Sequence, residues 1–132
     1  MTSPEPDPSS PSRKSLVGIV GPCTAGKSTL IRRLAPRGIN TRHIAQEHSY
    51  VPYMWQRLAH PDVLIYLDVS FPVSLQRRPG FWDEMEYQEQ LRRLEHARAH
   101  ADYYLLTDTY TEEEVAQQVL DFLNSFDPQG VV

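Results

Sequence analysis

Residues 21–28 read Gly21-Pro22-Cys23-Thr24-Ala25-Gly26-Lys27-Ser28, and this stretch decides the fold. It fits G-x-x-x-x-G-K-[ST], the pattern of a phosphate-binding loop. The run Leu16-Val17-Gly18-Ile19-Val20 precedes it and reads as a buried strand, while Ser28-Thr29-Leu30-Ile31-Arg32-Arg33-Leu34 follows and reads as a helix. Glycine tolerates the turns and the close approach of phosphate oxygens that such a loop needs. The new helix aims unpaired N–H groups and the positive end of its dipole at an anion. In this reading residues Gly21, Pro22, Cys23, Thr24, Ala25, Gly26, Lys27, Ser28 and Thr29 surround the phosphates. Lys27 reaches the β and γ phosphates and the Ser28 hydroxyl ligates Mg²⁺. The bland alternative is a glycine-rich strand-to-helix turn with no ligand. Cys23, near the helix N-terminus, is either a redox-sensitive thiol or a small residue at a permissive position.

Working outward, strands alternate with helices. Strands are expected at 15–20, 39–45, 63–67 and 102–106, and helices at 27–35, 51–59, 72–78, 83–100 and from Thr111 onward. Pro36 and Gly38 stop the first helix. Asp83 with Glu86, and Thr111 with Glu114, have capping-box spacing. In the long helix Tyr87, Leu91, Leu94, Arg98 and Ala101 fall on one stripe. Such alternation implies parallel strands with helices on both faces; the expected fold is a three-layer α/β sandwich with a small, mostly parallel four-stranded sheet, ordered 2-1-3-4. Ligands in such sheets bind beyond the C-terminal strand ends. Residues 1–14 are rich in Pro and Ser and read as a disordered tail. Residues 15–126 read as the phosphate-binding domain and 127–132 as a flexible tail.

The chain has 132 residues and a net charge of −4, which argues against nucleic acid and acidic membranes as partners. No apolar run approaches the ~20 residues of a membrane span, and the N-terminus lacks the apolar core of a signal peptide. A single cysteine excludes an internal disulfide framework. A cytoplasmic location is the default expectation. Open sheet edges leave room for a homodimer.

On its loop, on His60-Pro61-Asp62-Val63-Leu64-Ile65-Tyr66-Leu67-Asp68-Val69, and on Ala101-Asp102-Tyr103-Tyr104-Leu105-Leu106 with the helix after Thr111, the chain resembles the P-loop nucleoside and nucleotide kinases, such as thymidylate and deoxynucleoside kinases. The acceptor-binding region is shortened. The resemblance implies a P-loop NTPase fold, ATP or another nucleoside triphosphate with Mg²⁺, and transfer of the γ-phosphoryl to a small-molecule acceptor such as a nucleoside or nucleotide. The alternative is a reduced nucleotide-binding regulatory module or a slow NTPase. Gln46-Glu47-His48-Ser49 resembles the Glu-Arg-Ser of deoxynucleoside kinases with His for Arg. Lys27, Glu47, Arg77 and Arg78 are then the catalytic candidates. Ser28, Glu47 and Asp68 are the metal candidates. Glu47 has a surface glutamate as its bland alternative, and Arg77 and Arg78 a helix C-terminal cap. His43, His48, His60, His96 and His100 show no metal-site spacing and read as surface histidines. Trp55, Tyr50 and Tyr53 read as base-stacking or packing residues.

Overall fold

The computed structural model describes residues 15–126; the tails expected at 1–14 and 127–132 lie outside the described residues. Four strands, β1 (Val17–Val20), β2 (Thr41–His43), β3 (Val63–Asp68) and β4 (Tyr103–Leu106), form one sheet in the order β2-β1-β3-β4. Every pairing is parallel, so the sheet expected to be mostly parallel is wholly so. Six α-helices join and flank the strands: α1 (Lys27–Leu34), α2 (Met54–Ala59), α3 (Phe71–Arg77), α4 (Glu84–Arg93), α5 (Glu95–His100) and α6 (Glu112–Ser125). Single turns of 3₁₀ helix follow α1 at Ala35–Arg37 and β2 at Gln46–His48.

The alternation of β3 divides the core. Val63, Ile65 and Leu67 face Leu30 and Leu34 of α1 and Val115, Val119 and Leu120 of α6. Leu64 and Tyr66 face Trp55 and Ala59 of α2, Leu94, and Ala97 of α5. All six residues of β3 are buried, as expected of a parallel strand covered on both sides. Each large aliphatic side chain so buried contributes roughly 1.5–3 kcal/mol. Gly18 lets the layers close, because a Cβ there would stand 2.7 Å from Ile44 Cδ1 and 3.0 Å from Pro61 Cβ.

Both predicted capping boxes form. The Asp83 side chain accepts from the Glu86 N–H and the Thr111 side chain from the Glu114 N–H, with each glutamate returning the bond. Ser70 caps α3 by accepting from the Val73 N–H. Two expectations need correction. The strand at 39–45 contracts to Thr41–His43, since its polar residues form an edge with neighbours on one side only. The helix expected over 83–100 breaks at Leu94, which ends α4 and precedes α5. Leu94 is fully buried, and the break turns Tyr87, Gln90 and Ala97 inward, while Arg98 of the expected stripe is exposed.

Candidate functional site

The site lies at the C-terminal ends of β1 and β2, where the chain must turn sharply into α1. Gly21 (φ 149°) and Gly26 (φ 101°) have positive φ. At Gly21 a Cβ would come within 2.0 Å of the Leu67 carbonyl oxygen, so no side chain fits. Thr24 also takes a positive φ, 70°, and its buried Oγ1 has no hydrogen-bond partner among the described residues. The loop is tightened by the Ala25 N–H donating to Pro22 O (3.2 Å), and α1 starts with the Leu30 N–H donating to Gly26 O (3.0 Å). As the first helical residues, Lys27, Ser28 and Thr29 have N–H groups without an intrahelical acceptor. The Ser28 side chain is exposed, and Thr29 Oγ1 accepts from Arg32 (3.1 Å).

Lys27 is buried, with 6% exposure. Its ammonium donates to Gly21 O (2.5 Å), Pro22 O (3.2 Å) and Glu47 Oε2 (3.0 Å). Glu47 sits in the turn after β2 with 2% exposure, and its Oε1 has no partner among the described residues. The parallel pairing of β1 and β2 brings this carboxylate beside a lysine twenty positions away. The Nε2 of His43 lies 4.0 Å from Glu47 Oε2 and that of His48 3.7 Å. Burial, reinforced by the Lys27 charge and His48 and only partly opposed by Glu47, holds the His43 imidazole below its ordinary range. His43 is therefore neutral near pH 7.

The other predicted residues are held elsewhere around the strand ends. Arg77 is tied down by Nη1 donating to Thr24 O (2.7 Å) and Thr107 Oγ1 (3.1 Å), and Nη2 to Thr107 O (2.9 Å). Its guanidinium thus braces the Gly21–Ser28 loop against the end of β4. Arg78 stacks over the Phe81 ring at 4.2 Å. Both arginines line a cavity of about 460 Å³ beside the loop, shared with Thr24, Gly26, Thr107 and Tyr110. Asp68, at the end of β3, accepts from the Val69 N–H at Oδ1 (2.9 Å) and from the Tyr104 hydroxyl at Oδ2 (2.5 Å). Both of its oxygens are engaged.

Several residues of the site carry no signal in the sequence. Gln90 of α4 accepts the Cys23 N–H at Oε1 (3.0 Å) and directs Nε2 to Cys23 Sγ (3.3 Å). Arg93 donates to Glu47 O (3.2 Å). His48, read as a surface histidine, does have an exposed side chain, but it lies 3.9 Å from Cys23 Sγ as well as beside Glu47. Trp55 packs in the core, with Nε1 donating to His96 Nδ1 (3.0 Å), while Tyr50 is exposed with Arg93 above its ring.

No protein-family model matches the chain, and no curated protein matches it. Among solved structures it is similar to the signal receiver domain of NarL from Mycobacterium tuberculosis, over 86% of this chain and 98% of that one, at 16% identity and a TM-score of 0.41. The structure found is a receiver domain and not a P-loop kinase, so the resemblance to the P-loop nucleoside and nucleotide kinases has no support among the comparisons and is not carried further. The reading as an ATP-dependent phosphotransferase is withdrawn with it. A likeness this loose brings no function of its own to the chain. The three-layer α/β architecture with its parallel sheet stands, and no described helix is long and apolar enough to cross a membrane.

Proposed function

We propose that the loop from Gly21 to Ser28 binds the phosphate chain of a nucleoside triphosphate together with Mg²⁺, and that this binding, without a transfer reaction, is the function of the site. The observation that carries the reading is Lys27: a buried ammonium held at the centre of a loop by two main-chain carbonyls and one carboxylate. Those three acceptors can be exchanged for phosphate oxygens. The N–H groups opening α1 would complete the cradle. The residues also fit the cation. Glu47 has a buried oxygen with no partner, and Ser28 offers an exposed hydroxyl at the helix start. These two would hold Mg²⁺ directly or through its water, and the cation would neutralise charge on the phosphates. The engaged oxygens of Asp68 make it the weaker ligand of the three metal candidates. The cavity of about 460 Å³ next to Thr24 and Gly26 has the volume of a small-molecule site and would take the nucleoside.

The test is calorimetric titration of the full chain with a non-hydrolysable nucleoside triphosphate, with and without Mg²⁺. One equivalent binds, and Lys27→Ala weakens it by about tenfold or more, as expected for a lost charged hydrogen bond. Ser28→Ala, which leaves the Lys27–Glu47 pair intact, weakens binding only when Mg²⁺ is present. Arg57→Ala, at an exposed position of α2, changes nothing. Absence of binding to wild type under both conditions overturns the reading.

A further inference from the structure

Beyond the nucleotide reading, the same strand ends carry a further donor set, which shares Glu47 with the proposed Mg²⁺ site. Cys23 Sγ, a Glu47 carboxylate oxygen and a His48 imidazole nitrogen all lie within 4.8 Å of one another. Two of the separations are 3.9 Å (Cys23 Sγ to His48 Nε2) and 3.7 Å (His48 Nε2 to Glu47 Oε2). Tetrahedral zinc, with bonds of about 2.0–2.3 Å, sets neighbouring ligand atoms roughly 3.3–3.8 Å apart. Two of the three donor pairs are therefore nearly at bonding separation already, and the third lies within 4.8 Å. We propose that Cys23, Glu47 and His48 bind a divalent transition metal of the zinc class through thiolate, carboxylate and imidazole.

Glu47 Oε1 is the independent support. It belongs to a side chain that is 2% exposed, and no donor of the described residues satisfies it. A buried, unpaired carboxylate oxygen is costly, and a cation relieves that cost. The thiol is already positioned. Gln90 takes the Cys23 N–H and points its amide nitrogen at Sγ, an arrangement that orients a metal ligand. A cavity of about 500 Å³ borders Cys23 and His48, with Trp82, Gln90 and Arg93 among its walls. It leaves a fourth coordination position open to water or a further ligand.

The donor set also selects the metal. Thiolate and imidazole suit zinc, whereas Mg²⁺ and Ca²⁺ prefer oxygen alone. On binding, the Cys23 S–H bond breaks as the metal–sulfur bond forms, and the proton passes to solvent. His48 coordinates through Nε2 and keeps its proton on Nδ1. Thiolate and carboxylate together neutralise the dication, so the nearby Lys27 ammonium faces a site without net charge.

The experiment is titration of the full, metal-free chain with Co²⁺ as a spectroscopic substitute, followed by displacement with Zn²⁺, all without nucleotide. Its outcome is thus separate from that of the nucleotide titration. One equivalent of Co²⁺ gives a thiolate-to-cobalt charge-transfer band. Cys23 is the one cysteine in the chain, so the band reports this thiol alone and vanishes in Cys23→Ala. His48→Ala removes an exposed side chain and weakens Zn²⁺ binding by at least about tenfold, at the lower end of what loss of a supporting contact costs. Glu47→Gln behaves likewise, and His96→Ala, at the separate His96–His100 stack, matches wild type. No thiolate band in wild type, or Zn²⁺ affinity unchanged in His48→Ala, overturns the proposal.

Discussion

Glu47 and Asp68 stand on either side of the central strand β1, Glu47 in the turn after β2 and Asp68 at the end of β3. Both are more than nine-tenths buried. Their surroundings differ. Each oxygen of Asp68 receives one uncharged donor, the Val69 N–H or the Tyr104 hydroxyl. Glu47 receives an ammonium at one oxygen, has two imidazoles near it, and has no donor at the other oxygen. Burial alone therefore does not separate these two carboxylates; unused hydrogen-bonding capacity does. Asp68 fastens β3 to β4, and Glu47 keeps an oxygen in reserve.

The contrast is broken most severely by removing Lys27. Lys27→Met leaves Glu47 charged, buried and unpaired, which costs roughly 3–5 kcal/mol in urea unfolding. Adding Glu47→Gln to that variant recovers most of the loss, because the isolated charge goes with it. Asp68→Asn is milder. It keeps an acceptor for the Val69 N–H and loses a charged acceptor for Tyr104, at about 1–3 kcal/mol, with nucleotide and Zn²⁺ affinities unchanged. A larger loss from Asp68→Asn than from Lys27→Met would erase the distinction.

The smallest effect is a pH dependence at Tyr104. Burial first, then its hydrogen bond to Asp68 and that residue's charge, pushes the phenol up to about 12. An unfolded tyrosine ionises near pH ~10. The folded state thus holds its proton longer, and stability falls as pH rises from about 10 toward about 12. Urea midpoints measured across this range decline less steeply in Tyr104→Phe than in wild type. Tyr66, whose phenol is also raised by burial and by Asp68, keeps part of the decline in place.

Local physics made much of this legible in the sequence. The glycines at 21 and 26, the apolar run 63–67, and the two capping boxes each depend on neighbours within a few residues, and the parallel pairing of the strands follows from alternation. The break at Leu94 was not legible, because no Pro or Gly marks it and its cause is the shape of the core beneath. Gln90, Thr107 and Arg93 were equally silent. Their partners are Cys23, Ala25 and Glu47, 67, 82 and 46 positions away, and nothing in their own segments encodes the pairing. Cys23 and His48 gave no metal signal for the same reason. Spacing along one segment cannot report donors that two parallel strand ends bring together.

Thr107 follows β4, an edge strand with Tyr104 and Leu106 partly exposed. Its hydroxyl proton is shared between Ala25 O (3.2 Å) and Asp68 O (2.9 Å), while its own oxygens receive Arg77. One small side chain therefore joins the glycine loop, the end of β3 and the end of α3 to an edge strand of the sheet. The stillness of the loop is borrowed from that edge. When β4 frays, as edges do first, Ala25 loses its anchor and Arg77 its brace in the same event, so motion at the rim of the sheet becomes motion at its centre.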